Sequence, residues 1–456
     1  MAVRAEAVVA VEARALPGGV AEVAVLAYPA VLQTLSDTLM QVVDSAIVGR
    51  LGVTELGAVG FGGVWLWTML VGFVGTATGV QTFVAQSFGA GRRRECGPWV
   101  WQALYALFPL ALLWTGLIAL AFGPLLHLLG PSPELRAFAT QYANMRLLGA
   151  PALAADVVLT SFFRGLGDTR TPLRATIAAN LLNAVLAYGL VFGRCGLPAW
   201  GVAGAGVATA IAQWMYCGIM LFAVLRPRMT TLYGTSPVRP DREAMRRFMR
   251  TSTPIGGQWL LDMISFALFS TIIARMGDVA MAASQAMIQL LSLSFMQAFG
   301  ISIASGALVG RYVGAGDLTA AERSHWSAMK LGMGLAAAVA VLFLAVPELL
   351  LGVFTSDPMV VTLGRPLLAL GALFQLIDAL GIIAGGGLRG AGDTRWPFYV
   401  QAALAWCVRL PLVYLLAVVL GRGVTGAWLG ELGYVFVLGA TLLWRFRSGA
   451  WRALRI

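Results

Sequence analysis

The chain repeats its own pattern at a fixed separation of 225 residues. The segment Arg164–Arg170 (RGLGDTR) is matched by the segment Arg389–Arg395 (RGAGDTR). The same separation relates three further pairs: Pro29 and Pro254, Gln33 and Gln258, and Asp37 and Asp262. A chance similarity would not keep its register over so much sequence. The two halves are therefore expected to fold alike, an organisation typical of transporters when the chain is apolar.

The composition is that of a membrane protein, because 59% of the 456 residues are hydrophobic and only 12% are charged. A soluble domain carries about 25% charged residues. A run of about 20 apolar residues crosses a hydrocarbon core of about 30 Å, and twelve such runs occur. They cover residues 22–49, 56–82, 97–123, 138–163, 172–193, 201–225, 252–275, 280–309, 324–346, 360–385, 397–420 and 425–446. The sequence thus predicts an all-α integral membrane protein with twelve transmembrane helices in two pseudo-symmetric six-helix bundles.

The net charge of +11 has two interpretations. Nucleic-acid binding requires a basic patch on a polar domain, and no segment of this chain reads as such a domain. The positive-inside rule requires basic residues in alternate loops, and Arg92–Arg94, the 226–250 stretch and the tail after Arg445 follow that pattern. We therefore expect a multi-pass protein of the cell (inner) membrane with both termini in the cytoplasm.

The polar stretch 226–251 divides the chain. We predict an N-terminal six-helix lobe over 1–225, a cytoplasmic linker over 226–251 and a C-terminal six-helix lobe over 252–456. Six spans precede the linker and six follow it, so both halves start on the same side of the membrane. The repeats are then parallel and related by an axis along the membrane normal.

Six carboxylates fall in the interior of the apolar spans: Asp37, Asp44, Asp156, Asp262, Asp378 and Glu431. An ionisable group at membrane depth is costly and usually faces a cavity, an ion pathway or a partner. Removal from water disfavours the charged form, so such a group can take up a proton near neutral pH or bind a cation. Either exchange can drive transport. We assign ion coupling to Asp44, Asp37, Asp262 and Asp378.

The first span carries a polar stripe. Asp37 and Asp44 lie seven residues apart, about two helical turns, so both point to the same side. Thr34, Gln41 and Ser45 extend the stripe, and Gln33 adjoins it. Such a surface is favoured on a cavity wall, and the alternative is a hydrogen-bonded helix interface without an ion role.

The intramembrane acids of the second half do not all stand at positions that repeat the acids of the first half. Asp262 is the repeat partner of Asp37, whereas the position 225 residues before Asp378 is Leu153. An asymmetric acid in a symmetric scaffold suggests a coupling site. The alternative is a buried pair with an amide or an arginine, and Arg409 is well inside a span.

Asn180 and Asn183 share a face of the fifth span because they lie three residues apart. Together with Gln33 and Gln41 they are candidates for binding the substrate or a cation, although packing between helices explains them equally well.

The RGxGDTR segments have a structural interpretation. Their glycines permit tight turns, Asp168 and Asp393 are expected to cap the next helix, and the arginines are expected at the lipid headgroups.

These features together resemble the multidrug and toxic compound extrusion (MATE) family in its bacterial form. The resemblance covers nearly the whole chain. It depends on Pro29 followed by Val42-Val43-Asp44-Ser45 and Gly49, on Val84-Ala85-Gln86 with Gly89-Ala90-Gly91, and on the two RGxGDTR segments. It implies two six-helix bundles around a central cavity open to one side at a time, and export of organic, often cationic, compounds coupled to inward movement of H+ or Na+.

The resemblance also suggests roles for single residues. Asp44 matches the first-helix acid of the family, while Asp262 and Asp378 fall where one branch carries acids on its seventh and tenth helices. Asn180 and Asn183 resemble the fifth-helix amides of the DinF-like branch. That branch often has an acid four residues after the second amide, where this chain has Ala187, so the chain is assigned to a DinF-like or mixed branch.

The expected function is that of a secondary active antiporter and not of an enzyme. Its partners are small organic solutes and the lipid bilayer, with no nucleic acid, and it works as a monomer. No cofactor is expected beyond H+ or Na+ as coupling ion, with Na+ bound at Asp44 or at the Asp262/Asp378 pair. One alternative is a lipid-linked oligosaccharide flippase, which needs a basic cavity. Another is a membrane-embedded lipid-modifying enzyme, yet the sequence contains no HExxH or DDxxD motif.

Overall fold

A computed structural model describes residues 16–194, 196–352 and 358–454, and this part of the chain is built from helices joined by short turns. Eleven helices in the described ranges are long and apolar enough to cross a membrane. A twelfth span consists of the helices Pro133–Leu147 and Ala150–Gly165, which meet at an angle of 49°. The prediction of an all-α, twelve-span membrane protein is confirmed.

The first half contains eight of the helices that we number along the chain, with α2 and α3 forming one span and α5 and α6 the bent one. They are α1 (Val20–Gly49), α2 (Val53–Thr78), α3 (Val80–Gly89), α4 (Cys96–Leu129), α5 (Pro133–Leu147), α6 (Ala150–Gly165), α7 (Arg170–Phe192) and α8 (Val202–Val224).

The linker and the second half follow the same order. They contain α9 (Pro227–Tyr233), α10 (Arg242–Ala274), α11 (Asp278–Gly314), α12 (Leu318–Ala345), α13 (Pro347–Gly352), α14 (Pro358–Ala391), α15 (Arg395–Leu404), α16 (Leu410–Tyr414) and α17 (Gly423–Arg447). Two π-helical turns, Ala405–Arg409 and Leu415–Val419, flank α16, so the eleventh span is wound less tightly than its neighbours.

The two RGxGDTR turns form for the expected reason but differ in their aspartates. Gly167 and Gly392 have φ values of 83° and 90°, which only glycine adopts readily. The Asp168 carboxylate accepts hydrogen bonds from the backbone N–H groups of Arg170 (3.1 Å) and Thr171 (3.0 Å), so it caps α7 as expected. Asp393 instead accepts a 2.8 Å hydrogen bond from Nε of Arg445. The second turn is therefore tied to α17 by an ion pair.

Packing divides the described chain into two units. The N unit comprises residues 32–260, and the C unit comprises residues 16–31 with 261–454. Both boundaries fall inside helices, because α1 and α10 each contribute to both units. The lobes 1–225 and 252–456 follow the repeat and stay a prediction. The residues at the two ends, 1–15 and 455–456, lie outside the described part, and the cytoplasmic placement of the termini stays a prediction as well.

One close helix crossing in the N unit and one in the C unit are related by the sequence repeat. In the N unit a Cβ added to Gly75 of α2 would lie 2.8 Å from Cα of Gly256 on α10. In the C unit a Cβ added to Gly300 of α11 would lie 2.8 Å from Cα of Val31 on α1. Gly75 and Gly300 are 225 residues apart, as are Val31 and Gly256. The repeat thus extends to backbone packing.

The polar linker is hydrogen-bonded to α4 within the N unit. The Gln102 side chain donates to the carbonyl of Arg239 at 2.9 Å and accepts from the backbone N–H of Asp241 at 2.8 Å. The Tyr105 hydroxyl donates to the carbonyl of Val238 at 2.9 Å. The segment that joins the repeats is therefore a fixed part of one unit.

The crossing at Gly75 predicts a difference between two glycines of the same helix. Gly75→Ala forces a side chain into the backbone of Gly256, and overpacking of this kind costs about 1–3 kcal/mol of unfolding free energy. Gly63→Ala, also in α2, meets open space and should stabilise the protein by up to about 1 kcal/mol through helix propensity. Thermal unfolding of the purified variants in detergent measures both effects. A Gly75→Ala protein as stable as Gly63→Ala would contradict the crossing.

Candidate functional site: two intramembrane carboxylate clusters

In the N unit a ladder of polar contacts joins α1 to α7. The Gln33 amide donates to the Thr176 hydroxyl at 3.2 Å, and the Asn180 amide donates to the Ser36 hydroxyl at 3.0 Å. The third step is formed by Asn183, whose Nδ2 lies 2.9 and 3.1 Å from the two carboxylate oxygens of Asp44. Four of the residues singled out from the sequence, Gln33, Asp44, Asn180 and Asn183, thus lie along a common interface.

The Asp44–Asn183 contact forms the far end of this ladder. Asn183 is only 2% exposed, whereas Asp44 retains part of its accessible surface. The carbonyl oxygen Oδ1 of Asn183 is buried and has no hydrogen-bond partner among the described residues. A carboxylate next to an unpaired amide oxygen offers the oxygen ligands that alkali and alkaline-earth cations prefer.

Asp37 belongs to a second group of charged residues, next to the contact between Asn180 and Ser36. Its carboxylate interacts with the Asn180 amide and with the Arg164 guanidinium. It is also close enough to Asp156 for the two negative charges to repel each other. Asp37 itself is exposed, as is Gln41, which lies on the same helix. The predicted stripe on α1 is therefore exposed at Asp37 and Gln41, while Gln33 is buried.

The expectation that the arginines of the RGxGDTR segments sit at the lipid headgroups is wrong for Arg164 and Arg389. Nη2 of Arg164 donates to the amide oxygen of Gln33 at 2.9 Å. Nη2 of Arg389 donates to the Ser302 hydroxyl at 3.1 Å. Both arginines stand in the last turn of helices whose ends are packed against neighbours, so the guanidinium turns towards polar acceptors inside the bundle.

Sequence reasoning missed several polar partners in this unit. The Tyr216 hydroxyl lies 2.8 Å from the Thr160 hydroxyl and accepts from the Gln33 amide at 3.4 Å. The Gln213 amide donates to the carboxylate of Asp156. Gln213 and Tyr216 lie three residues apart on the mainly apolar α8. Two polar side chains at this helical spacing are the sequence feature that could have identified them.

In the C unit Arg409 connects three helices. It stands at the end of a π-helical turn and donates to both carboxylate oxygens of Glu431, at 2.7 Å from Nε and 2.6 Å from Nη2. Its Nη1 lies 3.3 Å from the carboxylate of Asp262 and 3.3 Å from the hydroxyl of Ser265. The guanidinium also lies over the ring of Tyr434, 4.9 Å from the centroid. Arg409 neutralises intramembrane acids, as proposed from the sequence.

Asp378 joins this network without a close cation of its own. Its carboxylate interacts electrostatically with Asp262 and Glu431, which repel it, and with Arg409, which attracts it. Three carboxylates therefore share one guanidinium. Arg409 and Glu431 are each 2% exposed, whereas 47% of the Asp262 side chain is exposed. The excess negative charge thus includes a group that solvent can reach.

Comparison with known proteins supports the repeat and the fold. The family model described as MatE matches residues 29–189 and again residues 254–415. A "Probable multidrug resistance protein NorM" of Xanthomonas campestris is 32% identical over 91% of this chain and 90% of its own length. The protein of the same name in Thermotoga maritima is 29% identical over 93% and 92%. A "Multidrug resistance protein MdtK" of Yersinia enterocolitica is 30% identical over 91% of both chains.

Solved structures share the fold at lower identity. A structure titled "Outward-facing conformation of a multidrug resistance MATE family transporter of the MOP superfamily" superposes with a TM-score of 0.87 and 20% identity, over 95% of this chain and 97% of that one. The eukaryotic MATE transporter AtDTX14 gives a TM-score of 0.83 and 20% identity, over 94% and 96%. Since the family model matches both halves and the curated relatives are similar along nine-tenths of their length, the chain belongs to the MatE family of transporters.

Proposed function

We propose that this protein is a secondary active antiporter that exports small organic, mainly cationic, compounds in exchange for H+ or Na+ by alternating access. The curated relatives carry the names of multidrug resistance proteins. The observation that carries the proposal is the excess of carboxylates within the spans of each unit. An intramembrane carboxylate exchanges a proton or a cation with water when water can reach it. It retains the bound ion when water cannot.

In the N unit the coupling group is Asp44. As a carboxylate it accepts two hydrogen bonds from Asn183. A bound proton removes the charge from one of these oxygens and weakens its capacity to accept. Uptake of the ion therefore changes the contact between α1 and α7. An ion can shift a conformational equilibrium only when it binds the two states with different affinity, and a contact that depends on protonation supplies such a difference.

In the C unit the coupling groups are Asp262 and Asp378. Glu431 occupies two donors of Arg409 in a bidentate pair, the geometry that an arginine–carboxylate pair favours. Asp262 has the longer contact of 3.3 Å, and Asp378 interacts with Arg409 through charge, without a hydrogen bond from any described residue. These two carboxylates are accordingly the ones left to take up H+ or Na+.

The same charge balance favours a cationic substrate over an anionic one. Acids outnumber arginines in the C-unit network, and aromatic rings lie beside it at Phe266 and Tyr434. Carboxylates and ring faces both attract organic cations. A lipid-linked oligosaccharide flippase would need unpaired cationic groups for a pyrophosphate, whereas Arg409 is already paired with Glu431.

Asp44→Asn should abolish ion-driven export and leave the fold intact. The amide has the shape of a protonated carboxyl group but cannot exchange a proton, and it provides a weaker cation ligand. We expect at least a tenfold loss of gradient-driven transport of a fluorescent organic cation into proteoliposomes. Glu243→Gln, which changes an exposed acid in the first turn of α10, serves as the matched control and should transport normally. Equal transport by the two variants would remove Asp44 from the mechanism.

Separate ion gradients should identify the coupling ion and the unit that binds it. Proteoliposomes receive either a pH gradient or a Na+ gradient, and accumulation of the fluorescent cation is followed in the wild type, Asp44→Asn and Asp378→Asn. We expect at least one gradient to drive accumulation and each variant to lose the response to the ion that its carboxylate binds. A wild-type protein that responds to neither gradient would overturn the antiport proposal.

The Arg409–Glu431 pair should behave as a buried ion pair. Arg409→Met leaves buried carboxylates without a counter-charge and should lower the unfolding free energy by about 3–5 kcal/mol. Arg409→Met combined with Glu431→Leu removes the closest of these carboxylates and should recover a large part of that loss. Thermal unfolding in detergent compares both with Arg422→Met at an exposed position. If Arg409→Met unfolds at the same temperature as Arg422→Met, the pair does not stabilise the C unit.

A further inference from the structure

The N unit contains a pocket with a mainly apolar wall and several polar side chains, and neither carboxylate cluster uses it. It has a volume of about 720 Å³ and lies between the end of α4 and the beginning of α5. Its polar lining consists of His127, Arg136, Thr140, Gln141 and Asn144. Cavities of a few hundred to a thousand cubic ångströms are of the size that holds small molecules or molecular headgroups.

The polar residues form a stripe on the outward face of α5. Arg136, Thr140 and Asn144 are spaced four residues apart and extend over about 12 Å of helix at 1.5 Å per residue. The face next to this stripe is buried against the rest of the unit through Ala139 and Ala143. The stripe therefore runs from the turn before α5 down into the depth of a membrane-spanning segment.

Three of these side chains are unpaired among the described residues, whereas the Thr140 hydroxyl donates to the backbone carbonyl of Arg136 at 2.8 Å. The guanidinium of Arg136 and the amides of Gln141 and Asn144 make no hydrogen bond or ion pair with another residue in the part of the chain that the structure describes. A polar group facing hydrocarbon without a partner is costly, on the order of several kcal/mol. A polar ligand in the pocket would remove that cost.

A row of exposed leucine side chains extends from the same pocket along α4. Leu113, Leu117 and Leu120 are 63%, 48% and 78% exposed. They continue the face on which Pro124 and His127 line the pocket, because the spacing alternates between four and three residues. A mainly apolar pocket that carries the Arg136 guanidinium and several neutral polar groups, at the end of a row of exposed leucines, is complementary to an amphiphile with an anionic headgroup.

We propose that this pocket is a binding site for a membrane glycerophospholipid. The phosphate lies between Arg136 and His127, near the positive N-terminal end of α5. Thr140, Gln141 and Asn144 face the glycerol and ester oxygens, and an acyl chain lies on Leu120, Leu117 and Leu113. The site is independent of ion coupling, because none of its residues belongs to either carboxylate cluster.

Lipid retention tests the proposal on the purified full-length protein. The protein in detergent is titrated with dioleoyl-phosphatidylglycerol, and native mass spectrometry measures the bound lipid. Arg136→Gln should weaken the tightest binding event about tenfold, equivalent to about 1.4 kcal/mol. Arg194→Gln, which changes an exposed arginine elsewhere in the N unit, is the matched control and should bind as the wild type does. Equal lipid binding by the two variants would overturn the proposal.

Two further measurements locate the lipid and exclude other occupants. A phosphatidylglycerol with a photoreactive acyl chain should crosslink to residues 113–145, and crosslinking confined to other segments would contradict the site. Asn144→Leu changes an exposed residue and should also weaken lipid binding while the protein unfolds at the wild-type temperature. Displacement of the lipid by 10 mM inorganic phosphate would show a simple anion site, and displacement by the transported organic cation would place the pocket on the substrate route. Either displacement would overturn the lipid assignment.

Discussion

The energetic cost of holding negative charge inside a membrane governs the arrangement of this protein. Three of the intramembrane acids show two contrasting environments. Glu431 is sealed against Arg409 with two short hydrogen bonds and 2% exposure. Asp44 and Asp262 keep contact with an amide or a guanidinium but retain accessible surface. The sealed pair removes two charges from contact with lipid, and the accessible acids have the exposure that our proposal of ion exchange requires.

Much of the fold could be predicted because its evidence is periodic. The twelve apolar runs and the 225-residue repeat are properties of sequence spacing, and both reappear as helices and as the paired crossings at Gly75 and Gly300. The residues of the candidate site were also found from sequence, because an acid or an amide in an apolar run is conspicuous. Helical spacing placed Asp37 and Asp44 on one side of α1.

The partners of those residues could not be predicted in the same way. Spacing along a helix gives the face of a side chain but not the neighbouring helix that it meets. Asp44 and Asn183 are 139 residues apart, and no local pattern connects them. Arg164 shows the same limit, because an arginine in the last turn of a span can reach a headgroup or a buried amide. Its contact with Gln33 is decided by packing around α6.

The positions at which α1 and α10 pass from one packing unit to the other make the two repeats depend on each other. The N unit includes the start of α10, which belongs to the second repeat, and the C unit includes the start of α1, which belongs to the first. Neither repeat alone supplies all the helices of a packing unit. A half-length chain built on this plan would be incomplete by itself, and two such chains would complete each other only by exchanging the starts of their first helices. Joining the two repeats in one chain makes that exchange intramolecular.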